Sequence, residues 1–118
     1  MKITSFNPLI LTKDADSVVK VFEEIGFEKR HTNNPTEKIT DITMKDAAGH
    51  KVDVAQVNVE LDKTIIRMNV DNFEEAFEFL KARGFTNPSG RIIETPSSKS
   101  AMVVSPSGFA FDLCQHIK

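Results

Sequence analysis

The chain has 118 residues, 40% hydrophobic and 27% charged, which suits one domain with its own core. Its 15 basic and 17 acidic residues leave a net charge of −2, so no basic footprint argues for a nucleic-acid partner. The single cysteine, Cys114, excludes an intramolecular disulfide framework and fits a reducing, cytoplasmic compartment, and no apolar run reads as a signal peptide or a membrane span.

In chain order, Phe6 to Thr12 reads as a strand, with Asn7, Leu9 and Leu11 on one face and Pro8, Ile10 and Thr12 on the other. Asp14 or Asp16 caps a helix running to about Ile25, whose buried stripe is Val18, Val19, Phe22 and Ile25. Gly26 closes it as a left-handed cap, Phe27 to His31 is a strand, and Asn33-Asn34-Pro35 is a turn. Lys38 to Met44 and Lys51 to Gln56 are two further strands. After a connection over 57–63 the order restarts. Thr64 to Val70 is a strand; Asp71 or Asn72 caps a helix with the stripe Phe73, Ala76, Phe77 and Leu80; Gly84 closes it. Asn87-Pro88-Ser89-Gly90 is a turn, and Arg91 to Thr95, Ala101 to Val104 and Phe109 to Gln115 are strands. The segment 96–100 reads as a mobile connection.

Both halves therefore read strand, helix, strand, strand, strand. Gly26-Phe27 recurs as Gly84-Phe85 at an offset of 58, and Gly49 and Asp53 recur as Gly108 and Asp112 at 59. One loop insertion accounts for the difference, and the matching order of stripes, turns and aspartates identifies an internal repeat. The expected fold class is α+β, with two βαβββ modules, about 1–57 and 64–118, related by a pseudo-twofold within one domain. A curved mixed sheet would enclose a cup, with the helices outside.

The alternation puts Asn7, Asp53, Ile65, Arg67, Asn69, Asp112 and Cys114 on the cup face. Concave faces with a few converging polar groups are default ligand sites. These paired modules, ending in Ser105-Pro106-Ser107-Gly108-Phe109-Ala110-Phe111-Asp112-Leu113, resemble the vicinal oxygen chelate superfamily. That group includes glyoxalase, the bleomycin-resistance proteins and extradiol dioxygenases. Its closing turn usually carries acids where this chain has Ser105 and Ser107, and its last strand carries Glu where this chain has Asp112. The resemblance implies four metal-ligand positions on the first and last strands of each module, here Asn7, Asp53, Ile65 and Asp112. Isoleucine has no donor atom, and an oxygen-only remainder lacks the imidazole that suits zinc, nickel or iron.

Asp53 and Asp112 read either as a metal or acid–base pair, or as counterions of Arg67 in a solvated groove. Arg67 reads either as a clamp for an anionic ligand or as that counterion. Cys114 reads as a small apolar filler, and His31, His50 and His116 as surface residues. The expected function is metal-independent binding of a small, anionic ligand in the cup, with Arg67, Asn7, Asp53, Asn69 and Asp112 as binding residues and no cofactor. The alternative is a metal-dependent lyase or isomerase similar to glyoxalase, or a dioxygenase-related activity. In that case Asp53, Asp112 and Asn7 would hold a loosely bound divalent cation. The resemblance also implies a homodimer, with a small molecule as the other partner.

Overall fold

A computed structural model describes residues 1–36 and 38–116. The described residues form β1 (Ile3–Thr12), α1 (Ala15–Glu24), β2 (Glu28–Thr36), β3 (Ile39–Lys45), β4 (Lys51–Gln56), β5 (Lys63–Val70), α2 (Phe73–Lys81), β6 (Ile93–Thr95), β7 (Ser98–Val104) and β8 (Ala110–His116). The architecture is the expected α+β pair of βαβββ modules. Ile117 and Lys118, the end of the expected second module, lie outside the described residues. The chain divides into two compact units: a first unit, Asn7–Thr64, and a second unit made of Met1–Phe6 with Ile65–Lys118.

In the first unit the strands run in the order β2-β3-β4-β1. β1 and β4 are parallel, with Leu9 opposite Asp53 and Leu11 opposite Ala55, while β2-β3 and β3-β4 are antiparallel. Ile42, Met44, Val52 and Val54 turn toward α1 and pack on Ala15 and Val19. The Asp14 side chain caps α1, accepting from the Ser17 N–H at 3.2 Å and from the Ser17 hydroxyl at 2.7 Å. Its Ser17 hydrogen bonds hold the Asp14 carboxyl below its ordinary value. Another orphan donor of the helix start, the Ala15 N–H, is taken by the Gln56 side-chain Oε1 at 2.6 Å. At the other end Gly26 has φ +112°, and the Phe27 N–H reaches back to the Phe22 carbonyl at 2.9 Å. The rings of Phe22 and Phe27 then meet edge to face, 5.3 Å apart.

The second unit repeats most of these devices. Its strands run β5-β8-β7-β6, with β5 and β8 parallel and Arg67 opposite Asp112. Met68, Val70, Ala101, Val103 and Leu113 pack on Phe73, Ala76 and Leu80 of α2. Asn72 caps α2 through the Glu75 N–H, and Gln115 takes the Phe73 N–H at 2.6 Å, as Gln56 does for Ala15. Asp71 is not the cap; it accepts from the Lys2 N–H instead. Phe85 N–H returns to the Leu80 carbonyl past Gly84, whose φ is +91°. Here the glycine has a second reason. A Cβ at position 84 would lie 2.9 Å from the Pro106 ring, whereas one at position 26 would meet nothing within 4 Å.

Three sequence expectations need correction. β2 does not stop at a turn at Asn33-Asn34-Pro35 but runs on to Thr36, because register shifts between Lys29 and His31 and between Asn33 and Thr36 absorb the irregularity. The segment 96–100 is not wholly a connection. Ser98 already begins β7 opposite His116, and the Thr95 hydroxyl bonds the Ser98 hydroxyl at 2.9 Å. Ile25 leaves the buried stripe and is 66% exposed, since the chain has already begun to leave the helix there.

Candidate functional site

On β5 the residues that alternate with the core positions Met68 and Val70 point away from α2, which puts Arg67 and Asn69 on the opposite face. The parallel register sets Asp112 beside Arg67 and Cys114 beside Asn69. Across the antiparallel β7-β8 pair, Met102 and Ser100 join the same row. Arg67 Nε donates to Asp112 Oδ2 at 2.9 Å, and its Nη2 lies 2.9 Å from the same oxygen. Both side chains are mostly covered, at 13% and 16% exposed, so the contact forms where water screens it little. Asn69 is buried; its Nδ2 donates to the Ser5 hydroxyl at 2.6 Å. Its Oδ1 is buried with no hydrogen-bond partner among the described residues. Buried polar atoms are normally satisfied, so such an acceptor marks a place where water or a ligand donor belongs. Cys114 is buried, and its Sγ makes a long contact, 3.7 Å, to the Asp112 carbonyl.

The first unit builds the matching face from different side chains. Asn7 and Asp53 are buried at 4% and 1% exposure. Asn7 donates to the Pro8 carbonyl at 2.9 Å, and its Oδ1 also lacks a hydrogen-bond partner among the described residues. Asp53 stands opposite Leu9 on one side and Thr43 on the other, and His31 faces Thr43 from β2. Thr43 and Asp41 share this face, and sequence reasoning missed both. Both alternate with the core residues Ile42 and Met44, which fixes their face, and the β3-β4 register then sets Thr43 beside Asp53 and Asp41 beside Ala55.

Of the five expected binding residues, Arg67, Asn69 and Asp112 come together in the second unit, while Asn7 and Asp53 lie on the first unit's face. Ile65, at the remaining ligand position implied by the resemblance, brings no donor atom, and Asp112 is engaged by a guanidinium. No group of three or more His, Cys, Asp or Glu side chains converges among the described residues. His50 sits in the β3-β4 turn with Nδ1 2.7 Å from Asp46 Oδ2, and this hydrogen bond holds the Asp46 carboxyl below its ordinary value. His31 and His116 are exposed. No helix of the described residues is long and apolar enough to cross a membrane.

No protein-family model matches the chain, and no curated protein does. Solved structures do. A glyoxalase/bleomycin resistance protein/dioxygenase superfamily member from Vibrio splendidus 12B01 is 19% identical, with a TM-score of 0.64 over 98% of this chain and 100% of that one. A glyoxalase I mutant from Zea mays is 16% identical, with a TM-score of 0.72 over 98% of this chain but 44% of that one, so this chain spans less than half of it. A protein from Staphylococcus aureus is 14% identical, with a TM-score of 0.63 over 98% of both chains. The likeness establishes the vicinal oxygen chelate fold.

Proposed function

We propose that this chain, having the vicinal oxygen chelate fold, is a small-molecule-binding protein that holds an anionic ligand without a metal. The ligand sits on the sheet face of the second unit that bears Arg67, Asn69 and Asp112. The observation carrying this reading is the buried Asn69 Oδ1 acceptor, one strand repeat from the Arg67–Asp112 pair. A guanidinium presents five donors in a fixed fork, so it can hold Asp112 and a ligand carboxylate together. Side chains two apart on a strand are separated by about 6.8 Å. A ligand with a carboxylate and, a few bonds away, a hydroxyl or amide donor matches that spacing. The donor chemistry supports the metal-free reading: one implied position is Ile65, and the carboxylate of another, Asp112, is already paired.

The test is a thermal-shift screen with small hydroxy acids, thiols and planar antibiotics, followed by affinity measurements on Arg67→Lys and Asn69→Leu. A ligand that binds only the folded state raises the midpoint. Each substitution should weaken a bound hydroxy acid, Arg67→Lys by about 1.5–3 kcal/mol, the range for a hydrogen bond to a charged group. Unchanged affinity in both variants would leave Arg67 as a counterion only. Elemental analysis of protein prepared without a metal-affinity tag is the second arm. Zinc, nickel or iron near one equivalent per chain, lost on Asp112→Ala, would replace this reading with a glyoxalase-like, metal-dependent lyase or isomerase.

A further inference from the structure

The first unit contains a second feature, at the hairpin end of the face that bears Asp53 and Thr43 and in a different unit from Arg67. An open concavity of about 620 Å³ lies at the β3-β4 hairpin and is lined by Arg30, Thr43, Lys45, Lys51 and the turn residues Asp46 and Gly49. Lys45 and Lys51 are direct cross-strand partners. Like charges placed directly opposite destabilise a sheet, so this pair opposes folding unless an anion offsets it. Arg30 adds a third cation by a specific route. Lys29 pairs with Met44 and His31 with Thr43, so Arg30 is the extra residue of a bulge. A bulge re-aims a side chain out of the regular alternation, and here the residue released is one that lines the concavity.

The acids nearby do not cancel this charge. Asp46 is committed to the turn: its Oδ1 accepts from the N–H groups of Ala48 and His50, and its Oδ2 faces His50 Nδ1. Glu28 stands opposite Lys45 across β2, but no ion pair joins them among the described residues, and Glu28 does not line the concavity. None of Arg30, Lys45 and Lys51 makes an ion pair among the described residues. Thr43, which carries a neutral hydroxyl donor, lines the same concavity.

We infer that Arg30, Lys45, Lys51 and Thr43 form a binding site for the phosphate group of a small phosphorylated molecule. A planar guanidinium recognises phosphate through paired donors, and two ammonium groups supply point charges around it. The volume admits a phosphate with a small organic body.

Titration of the 15N-labelled protein with inorganic phosphate and with glycerol 3-phosphate tests this, with sodium acetate at equal ionic strength as reference. Saturable amide shifts should concentrate at Arg30, Thr43, Lys45 and Lys51 with the phosphates and be absent with acetate. Lys45→Gln/Lys51→Gln and, separately, Arg30→Gln should each weaken phosphate binding at least tenfold. Arg67→Lys should leave it unchanged, which separates this site from the one proposed above. Sedimentation with phosphatidylcholine vesicles, with and without phosphatidic acid, identifies the source of the phosphate. Selective pelleting with the acidic vesicles, lost in the double variant, would assign a lipid headgroup rather than a free ester. Shifts spread over distant lysines such as Lys13 and Lys63, or equal effects of acetate, together with no selective pelleting, would overturn the site.

Discussion

The two units share a backbone plan and differ in what they place on it. Leu9 faces Asp53 where Arg67 faces Asp112, and Leu11 faces Ala55 where Asn69 faces Cys114. The same parallel pair thus presents alkyl groups beside a buried carboxylate in one unit and a guanidinium beside a part-buried one in the other. The closing turns diverge in the same way. Asp46 and Ser105 both accept two backbone N–H groups from their turns, and Gly49 and Gly108 both take positive φ. One turn is closed by a charged oxygen and the other by a neutral one. The lesson is that hydrogen-bond geometry is what the repeat preserves, while charge is free to change.

The largest effect that separates the units should come from equivalent core positions. Leu113 and Val54 are both fully buried against their helices. Leu113→Ala should destabilise by about 2–5 kcal/mol, the usual range for a buried leucine. Val54→Ala should cost less, since a smaller alkyl group is removed than at Leu113. Urea unfolding monitored by circular dichroism measures both, and an equal or larger loss at Val54 would show the first unit's core to be the less yielding.

Next is the ion pair found in the second unit. Removing either partner of this mostly covered pair takes a counter-charge from the other, so Asp112→Leu and Arg67→Met should each destabilise by about 1–3 kcal/mol. The double variant should lose less than the sum of the two single losses, because the shared contact can be removed only once. If the losses simply add, the two side chains are energetically uncoupled despite their 2.9 Å contact.

The smallest effect distinguishes the two turns by pH. Hydrogen bonds, first of all from His50, lower the folded carboxyl of Asp46 below its ordinary value of 3.8. Its contribution to stability is therefore fully present above about 3.8 and is lost as pH falls through the lowered folded value. Asp46→Asn should remove part of the acid sensitivity of the unfolding midpoint. Ser105→Ala should shift the midpoint by a similar amount at pH 3 and pH 7. A pH-independent effect at Asp46 would mean that its charge contributes nothing beyond geometry.

Much of the fold was readable because its punctuation is chemical. Gly26, Gly49, Gly84 and Gly108 all take the positive φ that glycine alone adopts easily, and they mark the same points in each unit. The helix stripes were readable for the same reason: local periodicity encodes them. The glutamines that receive the first helical N–H groups were not, since Gln56 and Ala15 meet only after folding. At the candidate site, alternation placed Arg67, Asn69 and Asp112 on one face, and the repeat offset set the two aspartates in equivalent positions. Thr43 and Asp41 alternate with the core residues Ile42 and Met44, but their place beside Asp53 and Ala55 emerges only from cross-strand register. Arg30 escaped because a bulge breaks the alternation that sequence reading relies on.

The parallel pairs have a consequence for chain entropy. Leu9 and Asp53 are 44 residues apart, and Arg67 and Asp112 are 45 apart. Joining two parallel strands that far apart closes a long loop, and its entropic cost grows only with the logarithm of loop length. One residue in that length changes the cost by about 0.02 kcal/mol, far below any side-chain contribution. Closing these two parallel pairs therefore costs both units alike, so it is not the source of a difference in their stability.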